Sequence, residues 1–555
     1  VGSEMCIRDS NKTFSEKHNL TLIAGYNYEA KYYRDLTAAN DGLLSEDLSD
    51  FNLAKGTTNF TLNGGRNEYA IMGWFYRAAY DYKGKYLAEV NGRYDGTSRF
   101  PRGKRYGFFP SFSAAYRISE EAFFEPLRKT VDNLKIRLSY GSLGNQQIGY
   151  YDFIQTITTK GSMGDYSFDG TILGQHATVS DPVSGNQTWE KVISKNLGAD
   201  LNMFSNRLSL AADFYIRDTK GILGKGKSLP SIYGANEPQV NSNNLRTKGY
   251  ELVLGWRDSF KLAGSTFSYG ITGTFSDYTA EYTKCDNPSG LIGGPYVGKK
   301  YGEIWGYKVD GLFRNDEEAA EYASRVDLSK VAAGYYSATG AYGKGVRGGD
   351  IKYLDLDGSG IVDGGKGTLE DPGDRRVIGN SSPRYQYGLT LNLSWYGFDL
   401  SVFMQGIGRL DWYPGADNLR FWGPYSRPYA TFIPKNFMSQ VWSESNPDAY
   451  LPRARAYTSL NSTQGTAYYT NDRYLQNLAY CRLKNLTLGY TIPKRLTSKV
   501  GIKECRVYFS GENLATWSAL KNDFLDPEQA AADSDKKSNV YPWCRTYSVG
   551  LNLTF

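Results

Sequence analysis

RTYSVGLNLTF, residues 545–555, closes the chain on an unbroken two-residue alternation. Tyr547, Val549, Leu551, Leu553 and Phe555 fall on one side of an extended strand, and Thr546, Ser548, Gly550, Asn552 and Thr554 on the other. No polar tail follows, whereas a soluble sheet commonly ends in a few frayed polar residues. A strand built this way is expected to be held to its last residue.

The same period recurs upstream. In RYQYGLTLNLSWY, residues 384–396, Tyr385, Tyr387, Leu389, Leu391, Leu393 and Trp395 alternate with Gln386, Gly388, Thr390, Asn392 and Ser394. Gly397 then separates this run from FDLSVFMQG, where Phe398, Leu400, Val402 and Met404 oppose Asp399, Ser401 and Gln405, so the pair reads as a hairpin. Comparable segments lie near 18–33, 69–83, 85–98, 108–119, 132–145, 188–203, 207–218, 246–258, 266–280, 384–396, 398–410, 476–492, 502–517 and 542–555, a count of about 14 by the period-two criterion.

Composition agrees with a strand-rich chain. Among 555 residues there are 46 Tyr, 26 Phe, 10 Trp and 61 Gly, which favour strands and tight turns. The longest apolar runs fall far short of the ~18 residues of a spanning helix. The net charge of +6 is spread without Lys/Arg blocks, so no nucleic-acid module is indicated. Cys6, Cys285, Cys481, Cys505 and Cys544 form no C-x-x-C pair, and His18 and His176 are the only histidines; a zinc site or a His-based catalytic pair is not expected. The opening VGSEMCIRDS carries charges where a secretory segment would be apolar and matches nothing else in the chain. Residues 1–10 are therefore expected to be a scar foreign to the fold, leaving 11–555 as the structural unit.

The connections alternate between short and long. Turns such as DYKGKY and MFSNR follow or precede inserts at 34–68, 146–187, 219–245, 281–383, 411–475 and 518–541, so one end of the sheet is trimmed and the other elaborated. The alternate faces point the same way. Glu89, Asn91, Arg93 and Asp95 oppose Tyr86, Ala88 and Val90, and the outer set is aromatic and aliphatic where a soluble sandwich would place charges. The expected fold is all-β: an antiparallel transmembrane β-barrel with lipid outside, water within, and Tyr/Trp girdles at the interfaces.

Several motifs, in order along the chain, carry a family likeness: GRYDGTSRFPRGKRYGFFPSFSAAYRIS, LKIRLSYGSLGN, NNLRTKGYELVLGW, GDIKYLDLDGSGIVDG with DRRVIGNSSPRYQYGLTLNLSWYGFDLSVFMQG, VWSESNPDAYLPR, YLQNLAYCRLKNLTLGYTIPK and RVYFSGENLATW. Together they resemble the SusC/RagA family of TonB-dependent outer-membrane transporters. The resemblance implies a barrel of about 22 strands, of which this chain would supply the last ~14, following a plug and TonB box. It further implies the Gram-negative outer membrane, a SusD-like surface lipoprotein, the TonB complex, and a terminal strand (Tyr547 to Phe555) read by the barrel assembly machinery. The imported ligand would be a glycan or a peptide. A TonB-dependent siderophore or metal-chelate receptor and a non-transporting structural or adhesive barrel are the rival readings.

Two stretches carry candidate site chemistry. DLDGSGIVD places Asp355, Asp357, Ser359, Ile361 (through its carbonyl) and Asp363 at positions 1, 3, 5, 7 and 9 of a calcium-loop pattern, with Gly360 at the sharp turn. Lys366 stands where the last carboxylate belongs, and by family likeness Asp374 is the matching residue. A structural Ca²⁺ stiffening the 281–383 insert is expected. In LDWYPGADNLRFWGPY, Trp412, Tyr413, Arg420, Phe421, Trp422 and Tyr425 are candidates for stacking on and hydrogen bonding to a ligand. The many carboxylates also invite a glycan-hydrolase reading, but no pair stands out with the fixed separation that chemistry needs, and no enzymatic activity is expected.

Overall fold

The structure is a computed structural model. It describes residues 2–555 except 44, 48–49, 57–59, 161–166, 169–170, 173–175, 228, 337–344, 428, 430, 432, 456–459, 461–464, 523, 533–540 and 542. Fifteen strands form one antiparallel sheet in chain order. They are β1 Gly2–Phe14, β2 His18–Ala39, β3 Thr61–Tyr82, β4 Tyr86–Thr97, β5 Tyr106–Arg117, β6 Val131–Asn145, β7 Glu190–Met203, β8 Leu208–Lys225, β9 Gln239–Leu262, β10 Ser265–Lys284, β11 Arg384–Trp395, β12 Phe398–Arg409, β13 Tyr480–Thr491, β14 Glu504–Ser518 and β15 Thr546–Thr554. No helix of the described residues is long and apolar enough to cross a membrane.

Each of the fourteen alternating segments coincides with a strand from β2 to β15, and β1 is the addition. Residues 1–10, read from sequence as foreign, thus lie largely within an edge strand paired with β2 over its whole length. Backbone hydrogen bonding needs no side-chain pattern, which is how a segment without the alternation joins the ladder. Its side chains still break the pattern: Glu4 lies opposite Tyr28 and Arg8 opposite Ala24, so charges stand on the face that the neighbouring strands keep apolar.

Turn chemistry explains the trimmed end. Lys83 and Gly84, Ala263 and Gly264, and Tyr396 and Gly397 all have positive φ, the signature of the two-residue type I′ turn whose twist matches a hairpin. The β11–β12 hairpin therefore turns on two residues, Tyr396 and Gly397, and not on Gly397 alone.

The chain divides into two compact units, one made of residues 1–124, 135–197 and 215–246, the other of the remainder. In the first, Leu22, Ala78, Val90, Phe112 and Tyr140 lie side by side across five strands, and the next row back is Thr21, Ala79, Glu89, Ser113 and Ser139. In the second, Tyr269, Leu393, Leu400, Leu488, Phe509 and Val549 align across six strands, backed by Gly270, Asn392, Ser401, Thr487, Ser510 and Ser548. In each unit one face is thus hydrocarbon and aromatic, yet residues on it are exposed: Trp74, Phe108 and Leu138 in the first, Leu488 and Val549 in the second. An apolar surface of this extent, left open by the fold, has lipid as its solvent.

The second unit also contains a conventional core, built from inserts. Short strand pairs Glu303–Tyr307 with Arg375–Asn380, Val309–Leu312 with Ile351–Tyr353, and Asp411–Trp412 with Gln476–Asn477 frame it. A helix, Asp316–Arg325, is capped by Asn315, whose side chain accepts the Glu318 N–H at 2.8 Å. Phe313, Leu328, Val331, Ile351, Tyr353, Trp422, Tyr474 and Leu478 are completely or almost completely buried there.

Candidate functional site

The aspartate loop lies in the 281–383 insert. Gly358 and Gly360 take positive φ, which lets the chain coil tightly after Asp355. The Asp355 carboxylate accepts the Gly358 and Gly360 N–H groups at 2.8 and 2.9 Å, and Asp357 accepts that of Ser359 at 2.9 Å. Asp374, eleven residues past Asp363, folds back into the same turn. It is fully buried, and its two oxygens accept N–H groups from Leu356 at 2.6 Å and Asp363 at 2.9 Å. Carboxylate oxygens of Asp355, Asp357 and Asp374 all lie within 4.8 Å of one another.

The carboxylates of Asp355, Asp357 and Asp374 are therefore brought together, and Ser359, Ile361 and Asp363 lie in the same turn, joined to one another and to these acids by the loop's own hydrogen bonds. Ser359 donates its hydroxyl to the Ile361 carbonyl at 3.0 Å, and the Asp363 carboxylate accepts the Gly365 N–H at 2.7 Å. Electrostatics separates the converging acids. Hydrogen bonds from Ser359 hold Asp357 below the usual carboxylate range, while burial, with some help from Asp357's charge, pushes Asp374 up. Sequence reasoning missed one support of this loop: Asp327 pairs with Ile361 in a parallel bridge, its N–H reaching the Gly360 carbonyl at 2.7 Å.

The aromatic candidates sit elsewhere than expected. Trp412, Tyr413, Phe421, Trp422 and Tyr425 are all buried in the insert core, so no ring face is open to stack on a sugar or peptide. Trp422 donates its indole N–H to the Gly415 carbonyl at 3.1 Å and packs edge-on against Tyr474. The Tyr413 hydroxyl donates to the Tyr469 carbonyl at 3.1 Å, and burial pushes its pKa up so that it stays a donor. Arg420 is half-buried, and its backbone carbonyl accepts from the Asn522 side chain at 3.2 Å. These rings hold the inserts together; the sequence motif could not separate packing from ligand stacking.

A second unforeseen constellation ties the last insert to β13. Arg482, almost fully buried, pairs with Asp526 and with Glu528 at 2.9 Å, and Lys484 reaches Glu528 at 2.7 Å. On β15, Tyr547, Val549, Leu551 and Leu553 are exposed on the apolar face in register with β14, and Phe555 follows the strand, also exposed.

A family model described as "TonB dependent receptor-like, beta-barrel" matches residues 7–514. The chain belongs to this family. TonB-dependent receptor barrels are outer-membrane proteins, which gives the apolar face of the sheet its lipid. Among relatives, the TonB-dependent receptor P3 of Formosa agariphila is 27% identical over 568 residues, covering 98% of this chain and 51% of the relative. The TonB-dependent receptor SusC of Bacteroides thetaiotaomicron is 23% identical over 500 residues, covering 87% and 44%. The structure of the RagAB peptide transporter matches in fold with a TM-score of 0.75 at 22% identity, over 100% of this chain and 55% of that one. The chain spans about half the length of the curated relatives it matches.

Proposed function

We propose that this TonB-dependent receptor barrel forms part of the wall of an importer for large nutrients, oligosaccharides or peptides, working with a SusD-like surface lipoprotein and driven through the TonB complex. The observation that carries the reading is the two-faced sheet: an apolar side for lipid, and a side of Asn, Ser, Thr and Gly with paired charges that suits a hydrated passage. The relatives' names support it, SusC among them and a peptide transporter among the matching folds. The exposed apolar run of β15 suits recognition by the barrel assembly machinery.

The test is uptake. Cells lacking the gene for the full-length receptor should lose import of labelled oligosaccharides or labelled peptides and recover it on complementation. Loss confined to ferric siderophores would replace this reading with a chelate receptor. Unchanged uptake of all three would leave a structural barrel.

Within the reading, the aspartate loop is proposed to hold a structural Ca²⁺. Oxygens around Ca²⁺ lie at about 2.3–2.6 Å, so carboxylates on opposite sides of the ion stand roughly 5 Å apart, and the spacing of Asp355, Asp357 and Asp374 fits. Asp374 takes the place that Lys366 vacates. The ion would neutralise a buried carboxylate and fix the return of the chain to Arg375–Asn380.

A further inference from the structure

The apolar face of β7 and β8 changes character at one level. On β7 the outward residue after Leu197, moving toward Glu190, is Lys195; on β8 the outward residues after Ile216 are Asp218 and Lys220. Leu197 and Ile216 are exposed apolar residues, so these charges begin one outward step, about 7 Å, beyond open hydrocarbon-facing surface. Arg246 of β9 joins them, its guanidinium 2.6 Å from Asp218, which places it on the same face.

This cluster is cationic. Asp218 is buried between its neighbours and feels Lys195 and Lys220 as well as Arg246, giving one carboxylate to three cations. Lys195 and Lys220 are exposed, and neither is in an ion pair at contact distance among the described residues. Lumen water cannot reach them, since they are on the opposite side of the sheet. They stand at the elaborated end: a four-residue turn joins β7 to β8 at the other end, while residues 146–189 and 226–238 connect at theirs. In barrels of this class the long connections are extracellular, so the cations meet the outer leaflet at headgroup depth, where long basic side chains extend along the apolar surface toward polar partners.

We propose that Lys195, Lys220 and Arg246, with Asp218 orienting the arginine, form a binding site on the lipid-facing wall for the phosphate groups of an outer-leaflet lipid such as lipid A. This inference rests on the outer-membrane barrel reading, but not on transport. Lipid contact through phosphate gives each basic group a screened, partly dehydrated partner, an arrangement worth about fivefold in binding per residue at a membrane surface.

The experiment titrates the purified full-length receptor in detergent with diphosphoryl lipid A and with the same lipid after phosphate removal, reading retained lipid by native mass spectrometry. The phosphorylated form should be preferred about tenfold or more, and K195Q/K220Q should lose most of that preference with its fold and heat-modifiable mobility unchanged. The matching pair K494Q/K499Q, on exposed lysines of the β13–β14 turn, should keep it. Equal retention of the two lipids, an unaltered preference in K195Q/K220Q, an equal loss in K494Q/K499Q, or displacement of lipid A by equimolar inorganic phosphate would each overturn the site. Failure of the uptake test alone would leave it standing.

Discussion

The sheet strands and the insert core obey opposite rules within one chain. Along β11 and β12 almost no residue is fully buried, because each side chain faces one of two solvents. In the inserts, Trp422, Tyr353, Phe313 and Leu328 are shut away from both, as in a water-soluble domain. Strand stability therefore comes from backbone pairing and lipid, insert stability from packing. A large change in either region should leave the other standing.

The strongest test of that separation is Trp422→Ala. Truncating a fully buried aromatic costs about 3–5 kcal/mol, and here it also removes the edge-on contact with Tyr474. In the full-length receptor the inserts should become protease-sensitive while the heat-modifiable mobility of the membrane-embedded barrel is retained. Loss of both together would show that the regions fold as one.

Leu551→Arg should do the converse. Leu551 is exposed on the apolar face opposite Val507, and an arginine facing mid-bilayer lipid costs about 2–4 kcal/mol. Membrane insertion of the full-length receptor should fail, measured as loss of the heat-modifiable form. Normal insertion would mean the outward face has been assigned the wrong way round.

The two regions also differ in how far their structure can be read from sequence. Period-two alternation marks β2 to β15 because it follows from geometry: a strand between lipid and water must alternate. It fails at strand ends that extend beyond the membrane. β2 continues to Ala39 and β9 starts at Gln239, past the alternating segments that end near 33 and begin near 246, where side chains are no longer sorted between lipid and water and Ser242 and Asn243, on opposite faces, are both buried. β1 escaped for a related reason, since Glu4, Arg8 and Lys12 share a face with Cys6. In the inserts, local spacing suffices for Asp355 and Asp357, and family likeness supplied Asp374. The aromatic residues around Trp412 and Trp422 defeated the sequence reading because a ring's burial depends on contacts such as that between Trp422 and Tyr474, fifty-two positions apart. The Arg482–Glu528 pair, with Asp526, is equally invisible in either segment alone.

Calcium should act on the inserts and not on the strands. At a concentration about 100 times the dissociation constant, a bound ion stabilises by roughly 2.7 kcal/mol. Added Ca²⁺ should raise the protease resistance of the 281–383 insert, and Asp355→Asn with Asp357→Asn should abolish the gain; an unchanged response would remove the metal. Because the ion requires ionised carboxylates and burial already favours protonated Asp374, the protection should fade as the pH falls into the carboxylate range.

A smaller effect is expected at Asp350. It is buried beside Arg455, 2.6 Å away, whose guanidinium also stacks over Tyr335. Burial pushes the Asp350 carboxyl up to about 6 despite that partner. A carboxyl with a raised folded pKa takes up its proton in the folded state first, so the stability it contributes is present at low pH and is lost as the pH rises through about 6. Insert stability should therefore gain on the order of 1 kcal/mol from this group between about pH 7 and about pH 5. Asp350→Asn should flatten that slope in a pH series of protease resistance; a slope identical to wild type would assign it to other groups.

The smallest effect belongs to a charge in the sheet itself. Arg77 of β3 reaches Glu89 of β4 at 2.6 Å on the polar face, with both side chains partly open to solvent. Exposed pairs of this kind contribute about 0.2–1 kcal/mol, so Arg77→Gln should insert normally and shift the unfolding midpoint only slightly. Set beside Leu551→Arg, this makes the sheet's two walls directly comparable: one removes an arginine from the wet wall, the other adds one to the lipid wall. If the first proved as damaging to insertion as the second, water would not line that face, and the sheet could not be the wall of a hydrated passage.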